Sequence, residues 1–319
     1  MRKGTFVISL DFELYWGVRD HRTLENYGSH IANVHTVVPQ LLDLFHKNGI
    51  HSTWATVGFL FCNSKRELEQ YIPIRLPEYK DPSLDPYKYI NEVGELESKY
   101  HFAPQLIKAI QATPGQEIGT HTLSHFYTLE AGASTASFDS DMQQAVKLAG
   151  KENIQMRSIV FPRNQYSEEM LQVCANNGVH VYRGTEESWI YATRSRAKET
   201  KLRRLFRLVD SYFNLSGHHT QQPTVANGMI NIPASRFLRP YNSKLAFLES
   251  LRLRRIKSSM KHAAQKGEMF HLWWHPHNFG SHGEQNLAFL SKIIAYYKQL
   301  EKEYGMRSLN MGEIADLVK

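Results

Sequence analysis

Two acidic residues, Asp11 and Glu13, end the first apolar segment of the chain, at residues 6–10. Side chains alternate across a strand, so both carboxylates point to one face if the segment stays extended. In parallel barrels, catalytic groups lie at the carboxyl ends of strands, which makes this pair a candidate for acid–base or metal chemistry. A surface pair of carboxylates at a strand end is the alternative interpretation.

Two histidines, His121 and His125, occur at the end of another apolar segment, residues 117–121. On one helical turn the i, i+4 spacing points both imidazoles to one side, in the geometry that divalent metals take from two histidines. Chance pairs with this spacing are not rare among 16 histidines. Combined with the acidic end of the first strand, however, the pair predicts a metal site of two histidines and a carboxylate, with positions left for water and substrate.

Two further segment ends carry residues that could assist such a site. Arg163 follows residues 158–162, where a guanidinium can pair with a carboxylate and keep it ionised. His275 closes residues 269–275 beside Trp273, a setting that suits a proton donor in a partly dry site. A surface arginine and a buried, hydrogen-bonded histidine are the respective alternatives.

Short apolar segments alternate with longer amphipathic stretches along the chain, and this alternation predicts a parallel sheet flanked by helices. Seven strands favour a barrel over the shorter doubly wound sheet; they are expected at 6–10, 51–58, 117–121, 158–162, 179–184, 229–233 and 269–275. Helices are expected at 39–49, with Pro39 near the first turn and Gly49 just past the end, and at 138–150, 167–177, 201–213, 243–266 and 283–303.

A long segment, residues 62–115, separates the second and third predicted strands and contains Pro73, Pro77, Pro82 and Pro86. A connection of this length is usually functional or has structure of its own. It is either a solvated insertion with short helices or a lid over the site. With no visible repeat or flexible linker, residues 1–319 are predicted to form one domain that includes this insertion.

The composition is typical of a globular protein with a sizeable core: 319 residues, 42% hydrophobic and 22% charged. Two cysteines exclude a disulfide-rich scaffold and a cysteine-ligated zinc module. No apolar run approaches the roughly 18 residues of a membrane span, and the charged start is unlike a signal peptide, so we predict a cytoplasmic protein. The net charge of +7 is only a weak indication of an anionic partner, and no nucleic-acid partner is predicted.

Four motifs stand in an order that resembles the polysaccharide deacetylase family, carbohydrate esterase family 4, over about residues 5–275. They read Asp11-Phe12-Glu13, His121-Thr122-Leu123-Ser124-His125, Arg163-Asn164-Gln165-Tyr166 and Leu272-Trp273-Trp274-His275. The second motif is the most specific of the four. The resemblance implies an α/β fold, a distorted parallel (β/α)7 barrel, and hydrolysis of an N- or O-acyl group on a sugar with a divalent metal, commonly zinc.

The resemblance also implies roles for individual residues. Asp11 would be the general base, Arg163 would hold Asp11, and His275 would be the general acid. The metal ligands would be Glu13, His121 and His125. Trp273 and Tyr166, which belong to the last and third motifs, are expected to contact the substrate.

The sequence departs from the family pattern in three places. One residue separates the two acids that the family has adjacent, so Asp11 rather than Glu13 as the metal ligand is the alternative assignment. Gln165 stands where the family has proline. The family's remaining motif, an aspartate with a tryptophan, is not identifiable, and Trp189 and Asp210 are its only candidates.

The predicted function is therefore metal-dependent removal of an acetyl or formyl group from the nitrogen of a sugar. Without an export signal, a cytosolic nucleotide- or lipid-linked precursor of a surface polysaccharide is the expected substrate. One alternative is a metal-independent hydrolase of cyclic imides or ureides with the same fold, against which the intact histidine pair speaks. The other is a non-catalytic carbohydrate-binding protein, which would be expected to have lost one of the motif residues.

Two basic clusters remain outside the motifs. In the first cluster, apolar residues at helical spacing share a predicted helix with the basic residues. One interpretation is a helix whose apolar face packs on the barrel. The other is a basic surface that binds an anionic membrane or the phosphate of a lipid carrier. The second interpretation would place the protein at the periphery of the inner membrane. The clusters comprise Arg194, Arg196, Lys198, Lys201, Arg203, Arg204 and Arg207, and Arg252, Arg254, Arg255, Lys257 and Lys261.

Overall fold

One curled, mostly parallel sheet forms the centre of the protein. The computed structural model describes residues 3–186, 188–191 and 200–318; Arg194, Arg196 and Lys198 lie outside these ranges. The strands are β1 (Thr5–Phe12), β2 (Ser52–Thr56), β3 (Gln116–Thr120), β4 (Ser158–Ile159), β5 (Val181–Tyr182), β6 (Thr224–Ala226), β7 (Met229–Asn231), β8 (Arg236–Phe237), β9 (Met269–Trp274) and β10 (Arg307–Ser308).

The strand order is β6-β7-β5-β4-β3-β2-β1-β9-β8, with β10 beside β1. Every named pair of strands is parallel except β6 with β7. The curled sheet and the helices around it form a half-barrel, which confirms the predicted barrel architecture. Strands β6, β8 and β10 were not predicted.

Helices cover the outside of the sheet. They are α1 (Leu24–Ala32), α2 (Val34–Asn48), α3 (Lys65–Glu69), α4 (Pro86–Glu92), α5 (Ser98–His101), α6 (Pro104–Ala112), α7 (Thr135–Lys151), α8 (Glu168–Asn176), α9 (Lys201–Asp210), α10 (Glu249–Lys266), α11 (Gly283–Tyr304) and α12 (Met311–Val318). Pro39 lies inside α2 rather than near its first turn, because the helix begins five residues before it. Gly49 ends α2 in the left-handed conformation, with φ 60°, as the sequence predicted. None of the helices in the described ranges is long and apolar enough to cross a membrane.

The central strand, β1, is buried along its whole length and pairs with β2 on one side and β9 on the other. Its residues Phe6, Ile8, Leu10 and Phe12 belong to the main core. Val7 faces a second, smaller apolar cluster that includes Met311 and Ile314 of α12. Since side chains alternate along a strand, Asp11 lies on the same face as Val7. The inside of the half-barrel is therefore apolar at the end near α12 and polar at the carboxyl ends of the strands.

The insertion, residues 62–115, contains α3 to α6 and packs against the loop that follows β1. The Trp16 indole N–H donates to the carbonyl of His101 over 2.8 Å, and the Arg19 guanidinium donates to the carbonyl of Ser83 over 2.7 Å. None of the insertion's residues lines the main cavity described below. In this structure the insertion contacts the loop after β1 and not the cavity, and the lid interpretation stays a prediction.

The exposed face of helix α9 is the one that the barrel-packing interpretation expected to be buried. Leu202 and Leu205 are 60% and 54% exposed, and Phe206 is also exposed, whereas Arg203 is buried. The second basic cluster is likewise only partly on the surface, because Arg252 and Arg255 are buried. Helical spacing alone identifies an amphipathic helix but does not determine which of its two faces meets the protein.

Candidate active site

A cavity of about 710 Å³ opens at the carboxyl ends of the strands. Its wall includes most of the residues selected from the sequence motifs: Asp11, Glu13, His121, His125, Arg163, Trp273 and His275. The motif residues come from positions up to 264 residues apart, and the parallel sheet brings them together because the carboxyl ends of its strands meet at one edge.

Glu13 lies just beyond the end of β1. The chain turns there because Leu14 adopts a left-handed conformation, φ 46°, and a short 3-10 helix runs from Leu14 to Gly17. This turn brings the backbone of Gly17 against the Glu13 carboxylate. An ideal Cβ at Gly17 would lie 1.9 Å from Cδ of Glu13, so only glycine fits beside this carboxylate in its present position.

The spacing of the two histidines in the second motif predicted a helical turn, but the structure has no helix there. They lie in a loop after β3 in which Thr122 and His125 both have positive φ, 66° and 62°. Asp141 of α7 accepts a hydrogen bond from the Leu123 backbone N–H over 2.7 Å, and the Thr122 carbonyl accepts one from the N–H of Gly58. These bonds hold a strained loop in place, and that loop turns both imidazoles towards Glu13.

Glu13 is in contact with both histidines. Its Oε2 lies 3.3 Å from Nε2 of His121 and 3.1 Å from Nε2 of His125, and all three side chains are buried. Nδ1 of His121 lies 2.7 Å from the carbonyl oxygen of Val160. Since a carbonyl can only accept a hydrogen bond, Nδ1 is the donor, and in the neutral ring the lone pair is on Nε2. Nε2 of His121 and Nδ1 of His125 are buried and make no hydrogen bond within the described residues.

This donor set fits a divalent metal. Within the described residues, these three side chains are the group whose ligand atoms lie close enough together to share one ion. Burial lowers the pKa of His125 to about 4, so its imidazole is neutral, which is the form that binds metals. Burial alone would raise the pKa of Glu13, but the neighbouring histidines outweigh it and hold this pKa well below its usual range.

Asp11 is held by Arg183, not by Arg163 as the resemblance had implied. Nη1 and Nη2 of Arg183 donate to the two carboxylate oxygens of Asp11 over 2.7 and 2.9 Å. Arg183 is fully buried, and its guanidinium lies 4.1 Å from the centre of the Trp273 ring. Although burial opposes ionisation of Asp11, the charge of Arg183 outweighs it and lowers the pKa of this carboxyl.

Arg163 pairs with other carboxylates. Its Nη2 lies 2.5 Å from Asp20, and its Nη1 lies 3.2 Å from Glu130. The loop that carries it bends through two residues with positive φ, Arg163 and Asn164. The bend places Oδ1 of Asn164 2.8 Å from Nη2 of Arg183, so the third motif reaches Asp11 indirectly, through Asn164.

Sequence reasoning missed Arg183, although a signal for it existed. It directly follows β5, within the predicted strand 179–184, and therefore stands at a strand end like the other site residues. The motif pattern directed attention to Arg163 instead. Nη1 of Arg183 also donates to the hydroxyl of Ser9, which contacts Nε2 of His271 over 2.8 Å, so a buried polar network underlies the site.

His275 faces both carboxylates. Its Nε2 lies 3.7 Å from Oδ2 of Asp11 and 3.8 Å from Oε1 of Glu13, and about a quarter of the side chain is exposed. His277, a residue that the motifs did not indicate, is buried with Nδ1 3.7 Å from Oε1 of Glu13. Burial lowers the pKa of His277 to about 3, so it adds a neutral imidazole to the wall.

The remaining predicted residues have different positions. Tyr166 packs against Phe161 and Tyr182 and is not among the residues that line the cavity, so its predicted substrate contact is not supported by its position. Trp189 is largely exposed. Asp210 is buried and bonded to Arg236 and to other groups of its surroundings.

Comparisons with known proteins agree with the motifs. The family model described as Polysaccharide deacetylase matches residues 26–182, which include the second and third motifs. A search of curated proteins found no match.

Solved structures share the fold at low sequence identity. A Mycobacterium smegmatis protein described as a polysaccharide deacetylase has a TM-score of 0.62 at 13% identity, covering 99% of this chain and 91% of that chain. A GH57-type branching enzyme from Pyrococcus horikoshii has a TM-score of 0.58 at 12% identity, covering 99% and 70%. PuuE allantoinase has a TM-score of 0.58 at 13% identity, covering 98% and 88%. At these identities the similarities establish the fold alone.

The close approach of Gly17 to Glu13 yields a first prediction. Gly17→Ala should push the Glu13 carboxylate away from the two histidines and lower the affinity for Zn²⁺ by about 10–100-fold, the usual effect of disturbing a group that supports a ligand. Titration against a chromogenic chelator measures this affinity. Gly94→Ala is the matched control, because a Cβ at Gly94 would meet nothing within 4 Å. Equal Zn²⁺ affinity in the two variants would contradict the prediction.

Proposed function

We propose that the chain, whose residues 26–182 match the family model described as Polysaccharide deacetylase, is a hydrolase of that family and removes an N-acetyl or N-formyl group from a sugar in a metal-dependent reaction. The observation that carries the proposal is the group of Glu13, His121 and His125 beside an Asp11 that Arg183 holds ionised. Metal ligands next to a separate, positioned carboxylate suit the metal-assisted hydrolysis of an amide.

In this proposal Glu13, His121 and His125 hold the metal, with zinc as the expected ion, since two imidazoles and a carboxylate form a typical catalytic zinc set. When bound, such an ion lowers the pKa of a water and polarises the acyl carbonyl. The alternative assignment, in which Asp11 binds the metal, is disfavoured because Arg183 occupies both of its carboxylate oxygens.

Asp11 acts as the general base. It accepts the proton of the attacking water at a carboxylate oxygen, and it is available for this because the ion pair with Arg183 keeps it ionised in a buried position. The two parallel hydrogen bonds from the guanidinium also fix the plane of the carboxylate. Asn164 and the ring of Trp273 hold Arg183 in turn.

His275 acts as the general acid. Its Nδ1 lies 3.3 Å from Oδ1 of Asn278, an acceptor, which orients the ring so that Nε2 faces the site. The carboxylates of Asp11 and Glu13 both lie within 4 Å of Nε2. From Nε2 the proton passes to the departing amine, without which the C–N bond of an amide does not break readily.

The other two candidate functions make different demands. A metal-independent hydrolase of cyclic imides or ureides, or a protein that only binds carbohydrate, would have no use for a buried group of Glu13, His121 and His125 whose ligand atoms lie close enough together to share one ion. The fold is compatible with the first, as the similarity to PuuE allantoinase illustrates. Elemental analysis separates them, with about one metal per chain expected for the deacylase and none for the alternatives.

The substrate we propose is a cytosolic sugar precursor of a surface polysaccharide, linked to a nucleotide or to a lipid carrier. The experiment that tests the reaction is a screen of N-acetylated and N-formylated sugars, free, nucleotide-linked and lipid-linked, for released acetate or formate. Release from none of them would exclude the proposed reaction.

Removing one metal ligand should abolish metal retention and activity together. His121→Ala, His125→Ala and Glu13→Ala should each lose the metal, whereas Asp11→Ala should keep the metal and lose turnover. Elemental analysis of the purified variants measures the first effect, and acyl release measures the second. Full occupancy in both histidine variants would exclude the site, and metal loss only in Asp11→Ala would exchange the roles of the two acids.

Replacing the general acid should affect turnover but not metal binding. His275→Ala should lower kcat by about 10²–10⁴-fold, the usual contribution of a positioned proton donor. The loss should shrink on an ester or an activated amide, because a better leaving group needs less protonation. An equal loss on activated and unactivated substrates would show that His275 does something else.

Peripheral membrane association is a separate part of the proposal. The exposed side chains of Leu202, Leu205 and Phe206 on α9, with the exposed Lys201 beside them, combine an apolar surface with positive charge. Such a helix face suits the surface of an anionic bilayer.

Co-sedimentation with phosphatidylglycerol and phosphatidylcholine vesicles tests this association. Binding should be confined to the anionic vesicles and weaken with salt. The double variant Leu202→Ser, Leu205→Ser should bind at least about tenfold more weakly, since each buried leucine contributes about 1.5–3 kcal/mol. Ile74→Ser is the matched control, because Ile74 is 95% exposed outside α9. No difference between the two kinds of vesicle would exclude the association.

A further inference from the structure

The cavity that holds the candidate metal site has a second, strongly basic part. Four arginines line it: Arg204 and Arg207 of α9, Arg236 of β8, and Arg239 shortly after β8. None of them belongs to a sequence motif. They share the cavity with the site residues but come from the part of the chain between β5 and β9, which supplies neither the predicted ligands nor the predicted base.

Arg236 is the most informative of the four. It is only 4% exposed, and its Nη1 donates to the backbone carbonyl and to the carboxylate of Asp210. Its Nε and Nη2 are buried and have no hydrogen-bond partner within the described residues. A buried charged donor without an acceptor is costly, so Arg236, which lines the cavity, is suited to a ligand that supplies acceptors.

The other three arginines increase the positive charge of the same wall. Burial lowers the pKa of Arg239, and the neighbouring charges of Arg207 and Arg252 lower it further, which shows that cations are concentrated here. Glu186 also lines the cavity and is buried, and the charge of Arg236 acts on it. The carboxylate that Arg236 does contact, Asp210, is shared with Arg255.

The position of this wall relates it to the leaving-group side of the reaction. Phe237, the residue after Arg236, pairs in register with Trp273 of β9, and its ring centre lies 6.0 Å from that of His275. In the proposed function, His275 protonates the amine that departs with the sugar. A wall beside His275 therefore borders the sugar rather than the acyl group.

Building on the proposed function, we propose that Arg204, Arg207, Arg236 and Arg239 form a subsite for a phosphate group carried by the sugar half of the substrate. Arginine suits this ligand because its planar guanidinium donates two parallel hydrogen bonds to phosphate oxygens. A sugar phosphate, a nucleotide-linked sugar and a polyprenyl-phosphate-linked sugar all offer this group. The subsite selects for the phosphate that they share.

Binding of inorganic phosphate to the metal-free protein tests the subsite without any catalysis. Chelator-treated protein is titrated by calorimetry, so that phosphate cannot bind a metal. One phosphate per chain is expected, with affinity at least about tenfold weaker in Arg204→Gln and in Arg239→Gln, since each variant removes charge-assisted hydrogen bonds to phosphate. These two are preferred to Arg236→Gln, because Arg236 is buried against Asp210 and its replacement could unfold the protein.

Arg254→Gln is the matched control, since Arg254 is exposed on α10 and does not line the cavity. It should bind phosphate as the unmodified protein does. Equal affinity in the control and in both cavity variants would overturn the subsite, as would no binding to the unmodified protein. If phosphate binds as expected while no sugar is deacylated, the proposed function fails and the subsite stands.

Kinetics identify the source of the phosphate. With the metal-loaded protein, kcat/KM is compared for N-acetylglucosamine, its 1-phosphate, a nucleoside-diphosphate-linked form and a polyprenyl-phosphate-linked form. At least one phosphorylated form should exceed the neutral sugar by about tenfold or more, mainly through KM, and this ratio should fall in Arg239→Gln but not in Arg254→Gln. Deacylation with no preference for any phosphorylated form would overturn the proposal while leaving the deacylase function intact.

Discussion

The buried ion pair between Asp11 and Arg183 is the interaction on which the rest of the site depends. Asp11 and Glu13 are both nearly inaccessible to water, and two carboxylates in such a place are stable only where cations or donors compensate them. Arg183 supplies one full charge and two aligned hydrogen bonds to Asp11. Losing one partner of a buried pair typically costs about 3–5 kcal/mol, because the other charge is left uncompensated. The packing of Trp273 and Asn164 around Arg183 is therefore part of the same constraint.

The half-barrel accommodates this polar cluster by dividing its interior along the strands. Near α12 the interior is filled by side chains such as Val7 and Met311, which need no polar partners. On the same face of β1, Ser9 and then Asp11 follow Val7, so polarity increases towards the carboxyl end within four residues. Ser9 contacts both Arg183 and His271 and connects the two zones. Packing in the apolar zone fixes the spacing of the strands. That spacing determines the distances between the polar side chains at the carboxyl ends of the same strands.

The sequence was most informative where function depends on residue type at a strand end. Asp11, Glu13, His121, His125 and His275 were selected on that basis, and all line one cavity. It was less informative where geometry depends on backbone conformation or on distant partners. The His121–His125 spacing suggested a helix, but positive φ at Thr122 and His125 makes it a loop. The order of the motifs predicted that Arg163 holds Asp11. In the structure Arg183, which directly follows β5, donates to Asp11 instead. Periodicity identified the apolar face of α9 but not its exposure, which the structure shows at Leu202, Leu205 and Phe206.

The fold comparisons indicate where specificity must reside. The same barrel occurs in a branching enzyme and in an allantoinase, so the architecture alone determines neither the bond that is cleaved nor the molecule that carries it. In this chain the residues of the strand-end motifs surround one carboxylate–histidine centre. The stretch from α9 to Arg239 contributes arginines to the wall of the same cavity, where two buried donors of Arg236 have no hydrogen-bond partner within the described residues. In the proposed function, the motif residues together with Arg183 carry the chemistry and the four arginines carry recognition, so substrate choice can vary while Asp11 keeps its partner Arg183.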